Sequence, residues 1–381
     1  MMCGLAVLVA GVLLLMGSTG AFADPDQPMR TPADEALAWD EDVAAGAGVG
    51  GGAGPTGRIG WRGSGWLLTN DALGDRKDRW RSGGFSLSGA FTGMADPARV
   101  DSVEIEGPGD GRPPGASGPM AWDAGLTGPI AAGPDSSGPV TAVPDDFWEI
   151  RFQAQVIQPD NLSRADPSDR PYAGVLALGL HRHVGVGPHE FALGGDLVLA
   201  GPQTGVDDLQ AAVHDVVGGP DPADEILSAQ IGNSLRPTAV FEYGHTLGLS
   251  PAVTLRPFVE ARFGDETLAR LGADLSLGLT GEPGIWIRDS VTGQRYRVGA
   301  AEGSGMSLVI GADTARVADS LYLPGAGDGP ELSERRDRLR AGVRYDQDGL
   351  SVFYGMTWLG REFSGQPEPQ VLGSLQVRLR F

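Results

Sequence analysis

The chain has 381 residues, 60 of them glycine, and a formal net charge of −20. This acidic balance argues against nucleic-acid binding, which needs a basic surface, and suits divalent cations instead. The single cysteine, Cys3, precedes the apolar run Gly4–Gly17 and the A-x-A cleavage signal Ala21–Ala23. We therefore predict a secretory signal peptide over residues 1–23, and a mature chain without thiol chemistry. An uncleaved anchor is the alternative, although the run is short for a membrane span.

Two later segments are too poor in apolar residues to form a packed core. Residues 24–59 are rich in Gly, Ala, Pro and acidic residues, which predicts a flexible lead. Residues 104–145 carry repeated Gly-Pro pairs, and we predict a disordered insert there. The remaining sequence from 60 to 381 is interpreted as one domain interrupted by this insert.

Short segments with alternating apolar and polar residues recur along this domain. In one of them Trp148, Ile150, Phe152, Ala154 and Val156 share a face, and the residues between them are charged or amide-bearing. Residues 72–82 are interpreted as a charged loop, and residues 281–303 are ambiguous. The predicted strands cover 60–68, 84–94, 147–156, 172–183, 190–199, 238–247, 253–263, 271–279, 307–314, 338–345, 350–359 and 372–381.

The last predicted strand favours a membrane protein over a secreted, soluble β-protein, which is the alternative. Leu375, Val377, Leu379 and Phe381 alternate with polar residues, and the chain stops on the aromatic. This ending resembles the assembly signal of bacterial outer-membrane proteins. We predict an all-β fold: an antiparallel transmembrane β-barrel of about twelve strands in the bacterial outer membrane. Phe381 is expected to engage the barrel-assembly machinery.

A helical pattern over residues 201–219 interrupts the strands and predicts a short helix in an extracellular loop. Gln210 and His214 are four residues apart, so they are neighbours on one side of that helix. The apolar face that we expect to pack on the barrel rim comprises Val206, Leu209, Val213 and Val216. The plainer interpretation is a surface helix that carries a solvated histidine.

These polar residues suit the hydrolysis of an ester. The sequence has no G-x-S-x-G, H-E-x-x-H or Walker motif. His214 is a candidate general base because imidazole titrates near working pH. Asn70 and Asp71 offer an amide oxygen and a carboxylate, which suit Ca²⁺. Ser82 is a candidate hydrogen-bond donor to an oxyanion.

Several motifs also resemble those of the lipid A 3′-O-deacylase family. The two longest are D-R-P-Y-A-G at Asp169–Gly174 and G-P-x-x-G-x-x-x-x-Q-x-x-x-H at Gly201–His214. The shorter ones are Asn70-Asp71, Trp80–Gly84, the pair Gln230 and Asn233, and Gly360–Phe363. The resemblance covers about residues 60–381 apart from the insert.

The resemblance implies a twelve-stranded outer-membrane barrel with a calcium-dependent esterase site on the extracellular side. It implies removal of an ester-linked 3′ acyl chain from lipid A in the outer leaflet. His214 would be the base that activates water, and Asn70, Asp71, Ser82 and Gln210 would complete the site, with Asp71 the metal ligand.

The chain departs from the family pattern at three positions. Ser82 replaces a Thr and keeps the hydroxyl, whereas Ala211 replaces a frequent Asn. A lysine used by some members in the loop after the third strand is absent, and Arg164 is the nearest cation. A non-catalytic structural or pore-like barrel and an outer-membrane phospholipase therefore remain alternatives.

Deleting residues 104–145 should leave membrane insertion and hydrolysis largely intact, because the segment buries too little apolar area to offset its ordering entropy. Heat-modifiable migration on gels and acyl release, measured for the deletion variant beside the wild type, check this expectation. A variant that fails to insert would contradict it.

Overall fold

The computed structural model describes residues 59–93, 146–217, 220–278, 284–299, 304–325, 329–347 and 350–379. The predicted signal peptide (1–23), nearly all of the predicted lead, the insert (104–145) and Phe381 lie outside the described residues. Within the described ranges, no helix has the length and apolar content needed to cross a membrane.

Strands account for most of the described chain. They are β1 (Gly60–Asn70), β2 (Trp80–Thr92), β3 (Phe147–Gln158), β4 (Ala173–Val186), β5 (His189–Ala200), β6 (Ser234–His245), β7 (Leu247–Ser250), β8 (Val253–Phe263), β9 (Glu266–Gly278), β10 (Ile285–Arg288), β11 (Arg295–Val298), β12 (Gly305–Ser320), β13 (Arg335–Gln347), β14 (Leu350–Leu359) and β15 (Gln370–Leu379). Two α-helices, α1 (Val206–Val217) and α2 (Asp224–Ser228), lie between β5 and β6.

The strands form a closed antiparallel barrel. Each wall strand pairs with its neighbour along the chain, and β1 pairs with β15 to complete the circle. β6 and β7 both pair with β8 and form one wall strand interrupted at Thr246, so the barrel has twelve strands. The closing pair joins Leu68–Asn70 of β1 to Gly373–Leu375 of β15, and pairing of the strand edges is what a lipid environment requires. The predicted all-β, twelve-stranded barrel is confirmed.

Side chains alternate between the lipid-facing and lumenal surfaces of the wall. On β13, Leu339 and Val343 point outward with 56% and 45% exposure, whereas Arg338 and Arg340 are buried in the lumen. Carboxylates from neighbouring strands neutralise these arginines; Arg338 Nε lies 2.9 Å from Asp313 Oδ1, and Arg340 Nη2 lies 2.6 Å from Asp274 Oδ1. Charge therefore fills the lumen as ion pairs, while the outer surface is apolar.

Residues 281–303, which the sequence left ambiguous, contain a hairpin that lies inside the barrel. We call β10, β11 and their turn the inner hairpin. Its apolar side chains Ile287, Tyr296 and Val298 pack against wall residues; these are Leu67, Ala90, Phe147 and Phe353. The turn is tied to the wall because Arg338 Nη1 donates to the carbonyls of Ser290 and Val291, both at 2.9 Å. The inner hairpin connects β9 to β12 and enters from the end of the barrel that carries the short turns.

The predicted loop over residues 72–82 is partly wrong. β2 begins at Trp80, four residues before the predicted start, and a β-bulge lies between Arg81 and Gly83. The bulge places one extra residue, Ser82, in the strand, which the alternation pattern of the sequence does not reveal. Ser82 therefore lies on the barrel wall and not in a loop.

Replacing residues 285–298 by a short Gly-Ser linker should convert the barrel into an ion-conducting pore, because the inner hairpin fills the lumen. Conductance in planar bilayers measures this effect, with the variant that lacks residues 104–145 as the control that stays closed. Equal conductance for folded wild type and hairpin variant would show that the lumen is blocked by other residues.

Candidate functional site

The connection between β1 and β2 begins with a capped 3-10 turn at the extracellular end. Asn70 caps the turn, since its Oδ1 accepts a hydrogen bond of 2.7 Å from the Ala72 amide. Asp71 is only 2% exposed, and its Oδ2 accepts a hydrogen bond of 2.9 Å from the Arg79 amide. The turn thus holds the Asp71 carboxylate in a buried position.

A chain of hydrogen bonds joins this connection to α1. At the end of β3, Gln158 Nε2 donates to the carbonyl and the carboxylate of Asp78, at 2.8 and 2.9 Å. Gln210 Nε2 on α1 donates to Gln158 Oε1 at 2.7 Å, and the Tyr172 hydroxyl donates to Gln210 Oε1 at 2.7 Å. Three extracellular connections therefore meet at Gln158.

Gln158 and Asn70 lie on the outward side of the wall. On β3, Gln158 continues the outward series that includes Ile150 and Phe152, yet it is fully buried. On β1, Asn70 shares the side of Leu68, opposite the lumenal Leu67. Because α1 contacts β3 and β4 and binds Gln158, the helix covers the outside of the barrel. The candidate site thus lies between α1 and the outer wall.

The packed face of α1 differs from the predicted apolar stripe. Val206 and Gln210 are buried, at 3% and 6% exposure, whereas Leu209 is 41% exposed. The helix is turned so that Gln210 reaches Gln158, which leaves Leu209 outside the contact. Gly174 on β4 permits this approach, since a Cβ there would lie 2.8 Å from Val206 Cβ. The hydrogen bond of the buried Gln210 amide therefore decides which face of α1 packs on the wall, and the apolar periodicity does not.

The D-R-P-Y-A-G segment, Asp169–Gly174, contacts both α1 and the loop after β3 and positions them. Asp169 Oδ2 accepts a hydrogen bond of 2.6 Å from the Asp160 amide, and Asp169 Oδ1 one of 2.7 Å from the Arg170 amide. Arg170 Nη1 lies 2.5 Å from Glu362 Oε2, in the segment between β14 and β15. Tyr172 is bonded to Gln210, and Gly174 lies beneath Val206. The motif therefore connects the loop after β3, the segment between β14 and β15, and α1.

Glu362 anchors the lumenal side of the same region. Its carboxylate binds Arg170 and also Arg81, whose Nε lies 2.8 Å from Oε1, and Arg336 Nη1 is 3.6 Å away. Charged groups around Glu362 hold its pKa far below the ordinary value, with burial opposing the three arginines. Arg81 directly precedes Ser82, so this ion-pair cluster fixes the bulge that carries the serine.

Ser82 and Asn70 occupy adjacent wall strands. Asn70 pairs with Gly83 in the β1–β2 ladder, and a Cβ on Gly83 would lie 3.3 Å from Asn70 Nδ2. Ser82 is 5% exposed. Gly83, the neighbour of Ser82 in the sequence, thus lies next to Asn70.

His214 lies one turn along α1 from Gln210. Its Nδ1 is buried and has no hydrogen-bond partner within the described part of the chain. The nearest described carboxylate oxygen is Asp221 Oδ1, 3.6 Å from that nitrogen and on a side chain that is 57% exposed. At this separation the two side chains are not hydrogen-bonded. Asp221 nevertheless faces the nitrogen that orients the ring.

The Asp71 carboxylate has the character of a cation ligand. Burial, followed by the charge of Asp78, raises its pKa from 3.8 to about 7. An ionised carboxylate in that position lacks sufficient compensating charge, which a bound divalent cation would supply. No group of three or more His, Cys, Asp or Glu side chains arranged for a metal occurs in the described ranges. Remaining ligands for Ca²⁺ would therefore be amide or carbonyl oxygens and water.

Arg79 of the β1–β2 connection contacts the loop after β3, the loop in which the resemblance leads one to look for a lysine. Arg164 of that loop is exposed. Arg79 is 4% exposed; its Nη1 lies 3.3 Å from Asp160 Oδ1 and its Nη2 lies 2.6 Å from Glu368 Oε1. The buried cation beside this loop therefore comes from the β1–β2 connection, and its backbone amide also holds Asp71.

Sequence reasoning missed Gln158, Asp78 and Asp221. Gln158 carried a usable signal, since it places an amide at the next position of the apolar series that ends with Val156. Asp78 and Asp221 lie in connections rich in polar residues, where no periodicity distinguishes one carboxylate from another.

Asp71→Asn should stabilise the metal-free protein at pH 8 and have little effect at pH 4. The folded pKa of Asp71 is raised, so its ionisation opposes folding; this cost grows between pH 3.8 and about 7 and is constant above that range. The unfolding temperature of purified barrel in chelator measures the difference. An equal change in unfolding temperature at pH 4 and pH 8 would contradict this prediction. The matched control is Asp208→Asn on the exposed side of α1.

The similarity to known proteins covers nearly the whole described domain. The sequence profile of the outer membrane protein LpxR family matches residues 61–381. No curated protein sequence matches significantly. The fold is similar to the solved structure of LpxR from Salmonella typhimurium, with a TM-score of 0.58 and 15% identity over 84% of this chain and 99% of that one.

A second solved structure, the β domain of the Bordetella autotransporter BrkA, has a TM-score of 0.37 and 11% identity over 84% of this chain and 100% of that one. The resemblance read from the motifs is confirmed by the match to residues 61–381. This chain belongs to the LpxR family of outer-membrane proteins, the lipid A 3′-O-deacylase family.

Proposed function

We propose that the protein is a calcium-dependent hydrolase that removes an ester-linked 3′ acyl chain from lipid A. The main support is a polar cluster on the outer wall at the extracellular end, where the buried Gln158 is bonded to Gln210 beneath α1 and the half-buried Asn70 lies on the nearby strand β1. Polar groups at a lipid-facing position are costly and mark function. Lipid A in the outer leaflet adjoins this position, and its acyl esters lie near the boundary between headgroup and chains.

Within this proposal His214 acts as the general base. Burial of Nδ1 leaves Nε2 as the nitrogen that takes a proton from water as the water oxygen attacks the ester carbonyl. The acyl carbon–oxygen bond then breaks, and the imidazolium returns the proton to the departing alkoxide, which gives a fatty acid and an alcohol. Asp221 stabilises the imidazolium and fixes the ring, as a positioning residue.

Ser82, Asn70 and Gln210 arrange the reacting groups. The Ser82 hydroxyl and the Asn70 amide donate hydrogen bonds toward the oxyanion. Gln210 holds α1 on the wall through Gln158 and so sets the distance of His214 from the ester. When bound at Asp71, Ca²⁺ would contribute Lewis-acid stabilisation of the negative charge that develops on the carbonyl oxygen.

The second candidate function is a non-catalytic outer-membrane barrel. It is favoured by Ala211 and by the absence of the lysine that some members use in the loop after the third strand, where Arg164 is the nearest cation. The filled lumen opposes a pore version of this alternative, since the inner hairpin packs on the wall. A phospholipase would share the site chemistry, and the choice of lipid distinguishes it.

His214→Ala should lower lipid A acyl release by a factor on the order of 10²–10⁴, the usual cost of losing a general base. The assay is mass spectrometry of lipid A after incubation with folded, heat-modifiable protein in Ca²⁺. Chelator should reduce acyl release by the wild type to a similar extent, and adding Ca²⁺ should restore that release. His245→Ala, at the opposite end of the barrel, is the matched control and should retain wild-type release.

Equal release by wild type, His214→Ala and chelated wild type would eliminate the proposed mechanism. No release by folded wild type would favour the non-catalytic barrel, and release from phospholipid alone would favour the phospholipase. Calcium binding has its own readout, because Ca²⁺ should raise the unfolding temperature of the wild type and not of Asp71→Asn.

A further inference from the structure

A groove of about 620 Å³ lies on the lipid-facing wall of β8, β9 and β12–β15. Small side chains form its floor, at Ala273, Ala312 and Ala341, and larger apolar side chains form its sides. Those at the sides include Ile310, Leu339, Met356 and Trp358. Alternation places all of these side chains outward, and Leu339 and Met356 are 56% and 43% exposed. Its volume falls within the usual range of ligand pockets.

The groove descends from the extracellular rim toward the middle of the membrane. One row of cross-strand neighbours runs through it; the row is Val371, Trp358, Leu339, Ala312 and Ala273. Val371 and Trp358 lie beside the extracellular ends of β15 and β14, whereas Ala312 and Ala273 lie at the middle of β12 and β9. Strand tilt turns this row into a slope across the wall.

The upper end of the groove adjoins the β1–β2 connection, which carries Asp71. The backbone of Val371 is hydrogen-bonded to Asp75, whose amide donates to the Val371 carbonyl at 3.0 Å. The Tyr354 hydroxyl donates to the Leu73 carbonyl at 2.7 Å, and Leu73 packs directly on Gly373. The turn that carries Asp71 is therefore folded onto the wall at the point where the groove begins.

We propose that this groove binds one acyl chain of the lipid substrate while another chain of the same molecule presents its ester near Asp71. The proposal rests on the proposed function and adds a second recognition element to it. Lipid tails are as apolar as the wall, so hydrophobicity alone gives no preference for any lipid. Preference arises because a chain tethered to a molecule held at the site has a high effective concentration at the groove. The slope matches the direction in which an outer-leaflet acyl chain runs.

Larger side chains on the floor of the groove should obstruct it, and steady-state kinetics measure the effect. Ala312→Phe and Ala341→Phe should each raise KM for lipid A by about tenfold and leave kcat within about twofold, since they remove binding remote from the reacting ester. Ala269→Phe, also outward on β9 but outside the groove, is the matched control and should change neither constant. Unchanged KM in both groove variants, with the barrel folded, would overturn the proposal.

Photocrosslinking supplies a readout that needs no hydrolysis. Lipid A with a diazirine at the end of an acyl chain should label β9, β12 and β13 near Ala273, Ala312 and Leu339, and Ala312→Phe should suppress this labelling. Phosphatidylethanolamine with the same group should label the wall evenly. Even labelling by both lipids would overturn the proposal that the groove binds an acyl chain. Dimers crosslinked through these strands would also overturn it, because they would show that a second copy of the chain occupies the groove.

The two proposals fail separately in these experiments. Selective labelling without acyl release by the wild type would retain the groove and reject the hydrolase. Acyl release with even labelling and unchanged KM would retain the hydrolase and reject the groove.

Discussion

Every backbone amide and carbonyl of a strand in lipid must find its partner on a neighbouring strand, and this requirement governs the whole molecule. The pairing of β1 with β15 and of β6 with β8 closes the sheet. A closed sheet has only two surfaces, and the strand pleat assigns each side chain to one of them. Lipid then selects apolar residues outside, while polar and charged residues collect in the lumen.

The lumen shows how a barrel accommodates so much charge. A buried ion is stabilising only when partners replace the water that it loses, and most lumenal arginines here contact carboxylates on other strands. Arg288 of the inner hairpin joins this network through Glu242 and Asp274. The hairpin is thus held by ion pairs as well as by its apolar face. Similar pairs around Glu362 extend the network to the extracellular end, where they position Arg81 and Arg170.

The candidate site departs from the rule that assigns polar residues to the lumen. Gln158 and Asn70 are on the outward surface; Gln158 is fully buried beneath α1, and Asn70 is half-buried at the start of the β1–β2 connection. The packing of α1 on the wall leaves Leu209 exposed, whereas the Gln210 amide is buried against Gln158. A site on the outer wall meets a lipid without removing it from the membrane. The groove lies on the same outer surface, and in our proposal it gives the lipid a second contact.

By itself, the sequence determined the barrel, its approximate number of strands and the residues of its longer motifs, because alternation and spacing are local properties. The segment that contains the inner hairpin stayed ambiguous, since apolar side chains on one face pack on the wall and Arg288 on the other face binds wall carboxylates. Ser82 was assigned to a loop because a bulge adds a residue that alternation cannot register. Only the tertiary structure decided that Gln210, and not Leu209, faces the wall, because the partner that selects it, Gln158, is distant in sequence.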